Sequence, residues 1–193
     1  MQALFDYIIS TENRYNNVVK IDDKKLIVNT EITERDHIFV NRIGTVYSCP
    51  LTGDAAIEKG DDVILHHNVF RRWYDSHGKE RNSASYIGED KYIVSSDQIY
   101  AYKKNDKWNC LPEYCFVKPL YKEDEWALQT DENLSGELIY LNKELQQLGQ
   151  SFEAARLTNS EYEFTIDGQK LYRVLSNQIT INYGPKTKNS SSS

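Results

Sequence analysis

Short apolar runs, broken by small polar clusters, set the rhythm of this chain. LFDYIIS (4–10) opens it. VVKI (18–21) and KKLIVN (24–29) follow, separated by Asp22 and Asp23, and so tight an acidic connection between β-branched runs predicts a hairpin. HIFVNRIGTVYSCP (37–50) predicts one or two strands ending at Pro50. LTGDAAIEKGD is turn-like, VILHHNVFRRWY (63–74) is extended, and DSHGKERNSAS (75–85) is a polar loop. YIGEDKYIVSSDQIYAYK (86–103) reads as strand, turn, strand. Residues 105–113 are expected to be a linker, and YCFVKPL (114–120) begins a second series. Only 143–158, with KELQQLGQSFEAARL, has helical character, and Gly149 limits it to a short helix. The polar tail, 185–193, is expected to be disordered.

The second series repeats the first. YIGEDKYIVSSDQIYAY aligns with IDGQKLYRVLSNQITIN, matching Gly88 with Gly168, Tyr92 with Tyr172, Val94 with Val174, Ser96 with Ser176, Gln98 with Gln178 and Ile99 with Ile179. Every pair differs by 80, without a gap. Upstream, KGDDVIL (59–65) answers LGQSFEA (148–154), with Gly60 on Gly149. RIGTVY answers LSGELIY, with Gly44 on Gly136, and Ile8-Ile9 answer Phe116-Val117. Collinear blocks of this kind point to a duplicated domain. The expectation is an all-β chain of two small domains, 1–104 and 114–184, the first with a long loop or hairpin over 11–42.

Composition narrows the function classes. Lys and Arg number 23 against 29 Asp and Glu, a net charge of -6, which argues against a uniformly basic nucleic-acid surface. No apolar run approaches the roughly 20 residues that span a bilayer. The opening residues lack the basic and apolar regions of a secretion signal. Cys49, Cys110 and Cys115 are odd in number and match no zinc spacing, so they read as reduced thiols of a cytoplasmic protein.

The order of the blocks resembles the GroES family of co-chaperonins. Its opening strand, long mobile loop, glycine-led strand, roof turn, K-x-G-D-x-V strand and closing strand are matched in turn. The matching stretches are LFDYIIS, 11–42, IGTVYS (43–48), PLTGDAAI (50–57), KGDDVIL and SSDQIYAY (95–102). Residues 114–183 are a more divergent copy, and the look is closest to bacteriophage-encoded members. The resemblance implies two tandem small GroES-like β-barrels. It implies a non-enzymatic protein that forms a homo-oligomeric ring, caps a large GroEL-type chaperonin and assists ATP-dependent folding of client proteins. No cofactor is implied, and the location would be cytoplasmic, in the host if the chain is phage-encoded. The docking tripeptide of the mobile loop corresponds to Leu26-Ile27-Val28, with Trp126-Ala127-Leu128 as a second candidate contact. The loop departs from the family's glycine-rich pattern, because Asp22, Asp23, Lys24 and Lys25 precede the tripeptide. The competing reading of the tripeptide is a strand in the barrel core. The competing reading of the chain is a structural or virion-associated adaptor on the same scaffold, since fold does not fix function.

Other constellations carry less. His66, His67 and His77 with Cys49 invite a metal, but adjacent histidines on a strand face opposite ways. Arg71, Arg72, Trp73, Tyr74, Lys79 and Arg81 form a basic-aromatic cluster of a kind that suits single-stranded nucleic acid. Strand alternation and the net charge favour a subunit contact or a solvated hairpin there instead. No nucleophile motif, phosphate loop or G-x-G-x-x-G turn occurs, which leaves no basis for a hydrolase or a dehydrogenase.

Overall fold

The computed structural model describes residues 2–15, 18–21, 24–27, 39–52, 56–119, 135–147, 152–155, 163–179 and 181–185. The chain divides into two compact units, Met1–Lys107 and Trp108–Ser193. Both are built from antiparallel strands. Among the described residues no helix is long and apolar enough to cross a membrane.

Unit 1 contains β1 (Tyr7–Ser10), β2 (Val18–Ile21), β3 (Lys24–Ile27), β4 (Ile43–Ser48), β5 (Asp62–Leu65), β6 (Arg72–Tyr74), β7 (Glu80–Asn82), β8 (Tyr86–Gly88), β9 (Lys91–Val94) and β10 (Ile99–Lys104). The strands wholly within it lie in the order β8, β9, β1, β4, β5, β10 of a seven-stranded sheet, whose last strand, β11 (Lys107–Cys110), crosses the unit boundary. Strands β2 and β3 pair only with each other, as do β6 and β7. The stretch read as a linker thus contains a strand, and its Trp108 and Cys110 are buried.

Unit 2 continues with β12 (Tyr114–Pro119), β13 (Ser135–Tyr140), α1 (Lys143–Gln147), β14 (Phe152–Ala155), β15 (Glu163–Ile166), β16 (Gln169–Leu175) and β17 (Ile181–Pro185). Its order is β15, β16, β12, β13, β14, β17. That is the order of unit 1, strand for strand. Among the described residues no pairing closes either sheet into a barrel. The helical expectation over 143–158 holds for its first turn and a half only. Beyond Gly149 the chain becomes β14, paired on both sides by β13 and β17, and those ladder bonds outweigh the helical propensity of the Glu and Ala residues there.

The agreement reaches the register. Ile9 faces Val46 and Tyr92, and Val117 faces Leu138 and Tyr172. Each ladder is irregular at the same step, between Ile8 and Ile9 and between Phe116 and Val117. Gly44 and Gly136 share one task. A Cβ on Gly44 would stand 2.5 Å from Ile9 Cγ2 and 3.0 Å from the Ser10 carbonyl oxygen. A Cβ on Gly136 would meet Val117 Cγ1 and stand 2.9 Å from the Lys118 carbonyl oxygen. Glycine is there because the neighbouring strand's backbone comes close.

The same glutamine closes the same 3-10 turn in each unit. Gln98 Oε1 accepts the Ser95 N–H at 3.3 Å, and Gln178 Oε1 accepts the Leu175 N–H at 3.3 Å. The offset of 80 continues into the last strands. Ala101 and Tyr102 oppose Ile64 and Val63, while Ile181 and Asn182 oppose Ala155 and Ala154.

Two details differ from the sequence alignment. Val63 corresponds to Ala154 through its partners Gly44 and Gly136, so the Gly60–Gly149 match is two residues out of register. A slip of two keeps every residue on its face, so the apolar pattern could not detect it. Gly88 and Gly168 also play different parts. Gly88 (φ 110) precedes the turn residues Glu89 and Asp90, whereas Gly168 (φ 75) is itself the second turn residue after Asp167.

The cores are continuous along the central strands. Tyr7, Ile8 and Ile9 are all buried, as are Val63, Ile64 and Leu65, and then Tyr114 through Val117. Successive residues point to opposite faces, so these strands are covered on both. In unit 1 Phe70 meets Tyr92 edge-on at 4.7 Å, and in unit 2 Phe116 meets Phe164 edge-on at 5.3 Å.

Candidate docking surface

Between β1 and β4 the chain leaves the sheet of unit 1 and returns to it. Its two ends are held together at a neck. Tyr15 and Val40 form an isolated antiparallel bridge, and the Asn41 N–H donates to the Arg14 carbonyl at 2.9 Å. The Asn41 amide Nδ2 is shared among the Thr11 hydroxyl at 3.1 Å, the Asn13 carbonyl at 2.7 Å and the Ile43 carbonyl at 3.0 Å. Its Oδ1 accepts the Ile43 N–H at 3.1 Å. One asparagine therefore ties both arms of the excursion to the start of β4.

Within the excursion β2 and β3 form a two-stranded hairpin. Val18 opposes Ile27, Val19 opposes Leu26, and Ile21 opposes Lys24 across Asp22 and Asp23. The hairpin expected from sequence is present. Leu26 and Ile27 lie on β3, in a sheet separate from the main one. Val28 lies outside the described residues, and so do Trp126, Ala127 and Leu128.

Sequence reasoning missed the root of the neck. The Arg14 guanidinium donates to Asn82 Oδ1 at 2.8 Å, to the Phe70 carbonyl at 3.2 Å and to the Arg71 carbonyl at 3.5 Å, and it stands 3.7 Å from Glu80. It also lies over the rings of Tyr86 and Tyr92, at 5.7 and 6.0 Å from their centroids. The Tyr15 hydroxyl accepts the Arg72 N–H at 3.0 Å and donates to the Arg72 carbonyl at 3.3 Å. The Arg72 guanidinium covers the Tyr15 ring at 5.0 Å. No spacing rule could find these hydrogen bonds, since they link residues 56 to 68 positions apart.

The hydrogen bonds and the ion pair end on the β6–β7 ribbon or its approach, while the Tyr86 and Tyr92 rings belong to β8 and β9. The ribbon pairs Arg72 with Asn82, Trp73 with Arg81 and Tyr74 with Glu80. Its tip is fixed by Asp75, whose carboxylate accepts the N–H groups of His77 and Lys79, each at 3.0 Å, and the Arg81 guanidinium at 3.0 Å. The Lys79 N–H first, then the His77 N–H and Arg81, hold the Asp75 carboxyl below its usual range. Trp73 and Tyr74 are 48% and 47% exposed.

The remaining candidates take plain structural places. His66 and His67 do not face opposite ways. Strand β5 ends at Leu65, and the two rings stack at 4.3 Å in the turn that follows. His77 sits at the ribbon tip. Among the described residues no group of three or more His, Cys, Asp or Glu side chains comes together as a metal site. The three cysteines carry free thiols. Burial pushes the Cys115 thiol up to about 12 and raises that of Cys110 well above its ordinary value. In unit 2 Asp167 accepts the Trp108 indole N–H at 2.9 Å and the Tyr140 hydroxyl at 3.4 Å. Burial, then the Asp167 charge, pushes the Tyr140 hydroxyl up to about 12.

No family model matches the chain, and no curated protein is significantly similar to it.

Proposed function

We propose that this protein is a co-chaperonin of the GroES type. In this reading it carries two tandem small barrels, forms a homo-oligomeric ring in the cytoplasm and docks Leu26-Ile27-Val28 on the apical surface of a large chaperonin. The observation that carries the reading is the excursion from β1 to β4, closed at its neck and bearing a hairpin that takes no part in the main sheet. A docking element needs that arrangement: anchored ends and a body outside the sheet of its own unit. The strand order repeated in the two units adds support for a duplicated scaffold.

The physics is that of an apolar tripeptide transferred from water to a groove, which gains about 25 cal/mol per Å² of apolar area buried. Ordering a loose loop costs roughly 1–2 kcal/mol per residue. A hairpin already paired before docking loses less freedom, so more of the gain survives as affinity. A ring of such loops multiplies modest single contacts through effective concentration. The chain needs no catalytic residue of its own, because ATP hydrolysis belongs to the partner.

The test is co-elution of the purified chain with a GroEL-type ring in the presence of ATP. The expected result is a complex with the native chain and none after Leu26→Asp and Ile27→Asp. A folded chain that never joins the ring would instead support the adaptor reading.

A further inference from the structure

Unit 1 carries a ribbon with no counterpart among the described residues of its sister sheet. The connection from β5 to β8 covers 66–85 and carries β6 and β7, whereas β14 and β15 are joined by 156–162 alone. The sheet order is the same either way, so the ribbon is not required to build the sheet. It is nevertheless well held. Its base is clasped by Arg14 and Tyr15, and its tip is closed by the Asp75 carboxylate. Arg14 and Tyr15 are also the last residues before the excursion, so the ribbon and the docking hairpin share one root.

We infer that the β6–β7 ribbon is a second docking element for the protein partner that receives the β2–β3 hairpin, meeting an acidic, apolar-rimmed surface beside the hairpin's groove. This rests on the co-chaperonin reading. Three features point the same way. Trp73 stands half exposed, directly across the ribbon from Arg81, and Trp and Arg are the side chains that most often dominate protein interfaces. Segment 71–82 carries four cations against two carboxylates in a chain of net charge -6, so an acidic partner repelled by the chain as a whole is drawn to this ribbon. The clasped base and closed tip mean that little freedom remains to be lost on binding. A shared root also tethers the two elements near one another in the chain, so docking of one presents the other at high local concentration.

The experiment titrates the full chain into a GroEL-type ring with ATP and reads the dissociation constant. It compares the native chain, Trp73→Ala with Arg81→Glu, the tip variant Lys79→Glu, and Leu26→Asp with Ile27→Asp. Circular dichroism and the melting temperature check that each variant is folded. The expected result is at least a tenfold weaker complex for the ribbon pair, a smaller loss for Lys79→Glu, and abolition for the hairpin pair. Native binding that the ribbon pair and Lys79→Glu change less than twofold would overturn the inference and leave the co-chaperonin reading standing. Absence of binding by the native chain would overturn both. Should the ribbon pair fail to fold, Lys79→Glu alone decides. Retained ring binding with loss of binding to a labelled oligothymidylate would assign the ribbon to nucleic acid and overturn the inference.

Discussion

Units 1 and 2 share strand order, register, ladder irregularity and glutamine-closed turn, yet among the described residues only unit 1 carries the ribbon and the Arg14 clasp. What they share is what a small antiparallel sheet needs to close on its own core. What differs lies in the connections, where a sheet tolerates change because the added residues run outside the ladder. The contrast separates the shared scaffold from what is added to it in one unit.

The strongest way to break the comparison is to fill the two equivalent glycines. Gly44→Val and Gly136→Val each force a side chain into a neighbouring strand, and overpacking of this kind costs about 1–3 kcal/mol or more. Each should lower the urea midpoint of its own unit. Trp73 reports on unit 1 and Trp126 falls within the span of unit 2, whereas Trp108 sits on the boundary strand β11 and reports on neither alone. Equal losses in both units from one substitution would mean that the units do not unfold separately.

Arg14→Ala comes next. It strips a part-buried cation from two carbonyls and the Asn82 side chain. A charged hydrogen bond contributes about 1.5–3 kcal/mol, and the loss should fall on unit 1 alone. Chymotryptic cleavage within 16–39 should also speed up, because the neck is released. Unchanged cleavage would show that Asn41 holds the neck unaided.

Smaller still are Gln98→Ala and Gln178→Ala. Each removes one cap of the same geometry, so each should cost about 1 kcal/mol, and near-equal melting shifts would sharpen the equivalence. A clear inequality would show that Ser95, whose hydroxyl also bonds within its turn, does work that Leu175 cannot.

The mildest test is alkaline titration. Burial pushes the Tyr92 hydroxyl of unit 1 and the Tyr140 hydroxyl of unit 2 up to about 12. The neutral form is favoured in the folded state, so the stability each contributes is complete below the ordinary tyrosine value near 10 and is lost as pH rises towards 12. Absorbance at 295 nm should show Tyr92 and Tyr140 ionising late, and Tyr92→Phe and Tyr140→Phe should each remove one late-ionising group. Full ionisation of all tyrosines by pH 11 in the folded chain would contradict both.

The sequence made the repeat legible where side chains meet a fixed backbone need. Gly44 and Gly136 answer a close approach, Gln98 and Gln178 an open turn, and Ile9 and Val117 a shared register. It failed where a pattern admits two solutions. Gly60 and Gly149 were aligned two residues out, because a two-residue slip leaves the faces intact. Residues 152–155 carried a helical look until β13 and β17 claimed them. His66 and His67 were assigned to a strand that stops one residue earlier. The β2–β3 hairpin was readable from Asp22-Asp23 between branched residues. The clasp beneath it was not, because Arg14, Asn82 and Glu80 become neighbours only once the sheet has formed.

The neck has a consequence for how this chain can change over time. Each arm of the excursion carries its own tether, Arg14 and Tyr15 on one side and Asn41 on the other. A nick inside the excursion would leave two secured stumps and an unbroken sheet. Lengthening a closed segment is also cheap, at about 0.6 kcal/mol for each doubling. The stretch between Tyr15 and Val40 is therefore an exchangeable cassette, free to be rewritten while the framework below it stays as it is.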